Sequence, residues 1–508
     1  MLLVLCSTGP PALRHNRLMF FSIEHTCYAS LLPHDQSRLF ALMLSHPLQR
    51  TARPSKCRAA APIAPPAHPT PAYTDLVDVG RMPAEQRQAL AEKWGYQSIG
   101  EELPDSVKLS DIVKSMPKEV FEIDNTRSWL TAITSLITFP LSLALIHFSP
   151  AWFLPIAWFI SGTAFTGWFV VGHDCGHRSF HTNKLVEDIV GNFFFAPLLY
   201  PFEPWRIKHN QHHAFTNKLE DDTAWHPVMK DEVADMNKGG TVGAHPAAAF
   251  HTEVERSDCI RWSIRASPCA SPCADVSSPM RPVSVCKQGV MCQLTRRLSV
   301  GRIIKGFLGS PFKLFASIFH WLIWHFDASK FTARQMPRVW VSWASCALFA
   351  ATAFPFIVAN AGWFGLVKYW LMPWLGYHFW MSTFTIVHHT APHIPFKAGS
   401  EWNAAKAQLS GTVHCGFPRW VEFLCHDINW HVPHHVASNI PWYNLRKATE
   451  SLRENWGKHM TEGEFNPRMV KSIVTQCHVF DEKNNYVTFD YEKDEPFFAR
   501  QRKAFPNL

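Results

Sequence analysis

Three short stretches of the chain gather histidines at helical spacing. They are His173 and His177 in HDCGH, His209, His212 and His213 in HNQHH, and His431, His434 and His435 in HVPHH. On a helix, residues i, i+3 and i+4 share one face, so each stretch aims two or three imidazoles in one direction. Neutral imidazole is the commonest side-chain ligand of first-row metals. Eight rings exceed the four ligands of one tetrahedral zinc. The economical reading is a two-metal site assembled from three segments. An all-imidazole set suits iron, zinc or copper by ligand type. Zinc has no redox chemistry and would mean a hydrolase or transporter, whereas iron would mean oxidation. Ligating imidazoles usually donate their second N–H to a carboxylate or carbonyl. Asp174, Asp221, Asp222, Asp427 and Asn429 are near enough in sequence to accept it, and His426 could ligate or support a ligand.

Elements that position these rings must bring them to one place. Residues 128–148 and 151–172 are apolar runs of the length that crosses ~30 Å of hydrocarbon, separated only by a tight turn. A second pair follows at 339–359 and 363–387, with NAG between. Pro140, Pro355 and Pro373 are expected to kink these helices. Neither hairpin tip carries a charge, whereas Lys108, Lys114, Lys118, Arg127, Arg178, Lys184, Arg334 and Arg338 flank the open ends. The positive-inside rule puts those ends on one basic face, stroma or cytosol. Four crossings return the chain each time, so all three boxes share a face. The expected fold is all-α and integral to the membrane, with a helical histidine-box domain on one side. Pro433 between ligands places the third box at a helix N-terminus, with the proline in the first turn. His378, within the fourth span, is a candidate for lining a substrate tunnel, or for a core hydrogen bond.

The rest of the chain organises around this domain, 128–450. Residues 1–60 are basic and almost free of acids, as organellar transit peptides are. Residues 61–127 are a polar N-terminal region, and 451–508 read as a C-terminal tail on the basic face. Residues 237–300 lack apolar periodicity and read as an inserted low-complexity loop; Cys269, Cys273, Cys286 and Cys292 within it are spaced poorly for zinc. Aromatics at 13% with 21 tryptophans suit a membrane protein with interfacial anchors. A net charge of +8, without a basic stripe, gives no support to nucleic-acid binding. The 13 cysteines show no compact disulfide framework.

The boxes and their flanks, GHDCGHRSF, YPFEPWRIKHNQHHAFTN, WLMPWLGYHFWMSTFTIVHHTAPHIPFK and HDINWHVPHHV, resemble those of the membrane-bound fatty acid desaturases. Within that family they are similar to the plastid omega-6 (delta-12) acyl-lipid desaturases of plants and algae. The resemblance runs from about Leu103 to Phe489, and the insert at 237–300 departs from it. It implies two iron ions, dioxygen, ferredoxin as electron donor, and a second double bond placed in monounsaturated acyl chains of plastid glycerolipids. It implies a chloroplast membrane, envelope or thylakoid, with the catalytic face towards the stroma. A ninth ligand is expected outside the boxes: His389, just after the fourth span, as the family pattern also suggests, with His388 and His393 as rivals. The same boxes would serve a membrane hydroxylase, an acetylenase or an omega-3 desaturase.

Overall fold

The computed structural model describes residues 79–225, 227–238, 300–482 and 484–490. The expected transit peptide, the four insert cysteines and nearly all of 237–300 lie outside the described residues. The described chain is mostly helical. Three of its helices are long and apolar enough to cross a membrane: Asn125–Phe148, Ala151–His177 and Met336–His389.

Helix α1 (Asn125–Phe148) starts where Asp124 accepts from the backbone N–H groups of Thr126 and Arg127. Its buried positions are Ser128, Thr131, Ala132, Ser135, Phe139, Ser142 and Ile146, which recur every three or four residues apart from the adjacent Thr131 and Ala132. They are mostly small or hydroxylic. Leu130, Ile137 and Leu141 face outwards. Small residues inside and large apolar residues outside is the order that a lipid surround imposes. Helix α2 (Leu154–His177) runs back along it, as two cross-links show. Ser142 Oγ donates to Ser161 Oγ at 2.9 Å, and Trp168 Nε1 donates to the Ser135 carbonyl at 2.9 Å.

The next two helices, α3 (Lys184–Phe195) and α4 (Phe202–Ala214), meet at 102°. A bend this sharp frees carbonyls, and tryptophans satisfy them. Trp370 donates to Pro197 O at 2.9 Å, Trp374 to Leu198 O at 2.8 Å, and Trp321 to Leu199 O. Trp321 belongs to α5 (Ser317–Trp324), a short helix with Phe319, Leu322 and Ile323 exposed.

The third apolar stretch comprises α6 (Met336–Leu366), a π-helical turn at Val367–Leu371, and α7 (Met372–His389). It breaks at Gly362, whose φ of 67° and ψ of −177° are far from helical. Pro140 and Pro355 lie inside continuous helices, and Pro373 sits in the first turn of α7. The break falls where NAG was expected to separate the two spans, at its glycine.

Helix α8 (His431–Val436) begins at the first histidine of the third box, so Pro433 falls in its first turn. Two further expectations need correcting. The fold is not purely helical, because β1 (Val413–Gly416) pairs in parallel with β2 (Thr461–Glu464), and β3 (Val479–Asp481) pairs antiparallel with β4 (Asn485–Val487). Residues 451–487 are not a tail. The helix Pro467–Gln476 buries Met469, Ile473 and Val474, and Asn466 reaches the Gly95 carbonyl at 2.7 Å. The apolar core gathers around α2 and α7, the two helices that deliver histidines from the membrane.

Candidate metal centre

Three helices end at one place, and a fourth begins there. His173 and His177 occupy the last two turns of α2, His209, His212 and His213 those of α4, and His389 is the last residue of α7. The three histidines of α8 complete the group. Helix C-termini carry partial negative charge from unsatisfied carbonyls, so this convergence favours a cation.

The rings fall into two sets. Ligand-capable atoms of His173, His177, His209, His213 and His434 lie within 4.8 Å of one another, and those of His212, His389 and His435 form a second such group. His431 joins the second: its Nε2 is 3.0 Å from Nε2 of His389 and 3.1 Å from Nε2 of His435. Nε2 of His212 lies 3.4 Å from that of His389, and the His209 and His213 pair stands at 3.2 Å.

Hydrogen bonding fixes which nitrogen points inwards. Nδ1 of His212 donates to Asp222 Oδ1 at 2.8 Å, and Nδ1 of His173 to Asp174 Oδ1 at 3.2 Å. His431 Nδ1 donates to the Ile428 carbonyl at 3.2 Å, and His435 Nδ1 to Gln408 Oε1 at 2.9 Å. A neutral imidazole carries one N–H. With Nδ1–H spent, His431 and His435 turn bare lone pairs towards each other at 3.1 Å. Two lone pairs at that distance repel unless a cation sits between them. Metal–nitrogen bonds of ~2.0–2.1 Å place neighbouring ligand nitrogens ~3.0–3.4 Å apart, which is the spacing found. Nε2 of His173, His177 and His434 are buried with no hydrogen-bond partner among the described residues. Burial holds the imidazoles of His431, His434 and His435 well below their ordinary pKa, and neighbouring imidazoles push the same way. The donor set fits a pair of transition-metal ions.

Beside the rings lies a cavity lined by His173, His209, His212, His389 and His431 at one end. Thr166, Val170, Met381, Phe384 and Ile386 give it apolar walls. Such a space suits a hydrocarbon chain.

Not every residue picked from sequence comes to this place. Asp174 and Asp222 do. Asp221 pairs with Lys218 instead. Asp427 is held by Arg446 at 2.7 Å, Asn429 donates to Glu422 at 2.8 Å, and His426 bonds Ser135 at 2.6 Å. His378 is absent from the cavity wall; its Nδ1 bonds Ser317 Oγ at 2.8 Å, the core hydrogen bond that was its other reading. His393 Nε2 is 3.2 Å from Thr461 Oγ1, away from the rings. Gln408 and the Ile428 carbonyl had no sequence signal. Gln408 reaches His435 from a π-helical turn, Lys406–Ser410, distant in sequence.

Comparison with known proteins gives a concordant result. The model of the fatty acid desaturase family matches residues 150–264 and 291–462. The chain is 46% identical over 402 residues to the chloroplastic omega-6 fatty acid desaturase of Glycine max, covering 79% of this chain and 80% of that one. With the protein of the same description from Arabidopsis thaliana it shares 44% over 472 residues, 91% and 88% of the two chains. The sn-1 oleoyl-lipid 12-desaturase of Synechocystis is 43% identical over 383 residues, 75% of this chain and 92% of that one.

Proposed function

The chain belongs to the fatty acid desaturase family, and on that premise we propose that it is an omega-6 (delta-12) acyl-lipid desaturase of a plastid membrane. It converts oleoyl to linoleoyl groups on glycerolipids. Two hydrogens leave the acyl chain, and dioxygen takes these, two further electrons and two protons to become two waters. Ferredoxin is the donor this reading assigns.

The observation that carries the reading is the facing pair His431 and His435, with both Nδ1–H groups committed and both Nε2 lone pairs converging beside an apolar cavity. His173, His177, His209, His213 and His434 would hold one iron ion, and His212, His389, His431 and His435 the other. When bound, such a pair supplies the redox chemistry with dioxygen that no side chain here possesses. The protein's own part is placement. Asp222, Asp174, Gln408 and the Ile428 carbonyl hold the rings in one tautomer. The walls from α2 and α7 seat the acyl chain against the rings and exclude water from it.

The topology that goes with this reading has four crossings. A 54-residue helix would extend ~81 Å, against ~30 Å of hydrocarbon. On this reading the break at Gly362 divides it into two arms of spanning length, and the second arm carries α7 back to the side where α2 ends.

The test is expression in a host that stops at monoenes and supplies ferredoxin, with chromatography of the fatty acids from each lipid class. Linoleoyl groups are the expected product. A hydroxylated acid, or trienes formed only when dienes are fed, would instead mark a hydroxylase or an omega-3 desaturase. Zinc in place of iron in the purified protein would remove the oxidative reading.

A further inference from the structure

Away from the histidines, a groove runs along the first turns of α1. It shares no lining residue with the cavity at the rings. Its walls carry Arg127, Arg419 and Arg446, which Glu422, Asp427 and the adjacent Asp124 balance in number but not in placement. The wall acids are both taken: Arg446 bonds Asp427 at 2.7 Å and Glu422 at 3.0 Å. Arg127 faces Asp124 at 3.6 Å across an exposed pair. Arg419 is exposed, and no carboxylate pairs with it among the described residues. It is the cation left over.

The groove also has a floor that water does not favour. Leu130 is 58% exposed and Phe423 60%. Thr131 and Thr134 turn their hydroxyls back to helix carbonyls at 2.9 and 2.8 Å, so their methyl groups add to the apolar surface. Trp442 and Tyr443 edge the groove; Trp442 Nε1 donates to Thr131 Oγ1 at 2.7 Å, and the Arg127 guanidinium lies 5.6 Å from the Tyr443 ring centroid. Arg127 lies about 32 Å along the helix from Phe148, one hydrocarbon thickness from the turn. The groove therefore sits at headgroup level and opens onto the lipid-facing side of α1. Indole and phenol rings at that depth are the usual interfacial anchors.

We propose that this groove binds an anionic membrane glycerolipid, whose headgroup phosphate or sulfonate pairs with Arg419 while an acyl chain lies over Leu130, Thr134 and Phe423. Charge selects the headgroup. The phosphate of a choline or ethanolamine lipid can also meet Arg419, but its ammonium cancels that charge and finds no free carboxylate, since Arg446 holds both of those present, so a net-anionic headgroup is held more strongly. A neutral sugar headgroup offers Arg419 no charge to pair with.

The test uses the full-length, metal-loaded protein in nanodiscs of saturated phosphatidylcholine doped with saturated phosphatidylglycerol, with retained lipid counted by native mass spectrometry. Phosphatidylglycerol should be retained about tenfold over phosphatidylcholine, and Arg419→Gln should abolish that preference, the loss of one charge-assisted hydrogen bond. Phe423→Ser should weaken retention too, while Arg334→Gln, outside the groove, should not. Helix content and metal content report that each variant is folded. Unchanged preference in Arg419→Gln would overturn the proposal. So would equal retention of both lipids, or displacement of the lipid by millimolar inorganic phosphate, which would mark a free-anion site.

Discussion

Gly162 on α2 and Gly376 on α7 touch backbone to backbone: a Cβ placed on Gly162 would fall 2.5 Å from the Gly376 Cα. No side chain fits between them. This contact sets the distance between the two helices that carry His173, His177 and His389 to the rings. Gly162→Val should force the helices apart, at a cost of about 1–3 kcal/mol as overpacking does. The expected result is a protein that still inserts but retains less metal and has lower activity. Normal iron content in that variant would show that the rings are positioned independently of this crossing.

Asp222 is a second point of leverage. It accepts from His212 Nδ1 and from the backbone N–H groups of Asn217 and Ala224, at 2.8, 2.8 and 2.9 Å. One buried carboxylate thus fixes both a ring and the loop after α4. Asp222→Ala should lower metal affinity about 10–100-fold, as removal of such ring-orienting partners does. Titration with a competing chelator measures it. Asp221→Ala, whose carboxylate pairs with Lys218, should leave affinity unchanged.

Burial lowers the pKa of His431, His434 and His435 in the folded protein, while the unfolded chain keeps values near 6.5. Below that pH the unfolded state binds more protons, so stability is lost as the pH drops. Above it both states are neutral, and these groups contribute no slope. Chelator-treated protein should therefore lose thermal stability from pH 7 to pH 5 and hold it from pH 7 to pH 8. Replacing His434 by Gln should flatten the acid limb. A limb of the same steepness in His434→Gln would assign it to other groups.

How much of this was readable from residues alone follows from what constrains them. Ligation demands a shared helix face, so the boxes announce themselves by spacing, and Pro433 betrays the helix start at His431. Crossing a bilayer demands length, so the spans announce themselves too. Nothing comparable governs loop side chains. Asp427 and Asn429 are close in sequence to His431 yet turn to Arg446 and Glu422, while Gln408 arrives from far upstream. His426 and Asp427 adopt positive φ, 47° and 53°, which redirects that loop in a way no composition signals. The break at Gly362 was legible too, because NAG interrupts an apolar run too long for one crossing.

The insert offers an independent test. Helices Lys230–Lys238 and Val300–Leu308 pack against each other, so the ends of the intervening chain are already close. The family match covers residues up to 264 and from 291 onwards, so the departure from the family is narrower than the expected 237–300 and is confined to 265–290. Replacing 239–299 by a short linker should leave desaturation intact, since closing a shorter loop costs less. Loss of activity in a deletion protein that still inserts and binds metal would give the segment a role in turnover.

The last prediction separates two adjacent histidines. His389 Nε2 stands 3.0 Å from that of His431 and 3.4 Å from that of His212, in the middle of the second set. His388 presents neither nitrogen to any partner among the described residues; its ring stacks on His431, centroids 4.4 Å apart and 24° from parallel. The first is placed to ligate and the second to brace. His389→Ala should therefore remove one metal equivalent and abolish activity. His388→Phe keeps a flat ring of similar size against His431, so it should retain both metal equivalents and most of the activity. His388→Ala removes the brace and should fall between them, with metal bound but weakened. Iron counted per chain decides the matter: a loss of one equivalent in His388→Phe, with full occupancy in His389→Ala, would exchange the two roles.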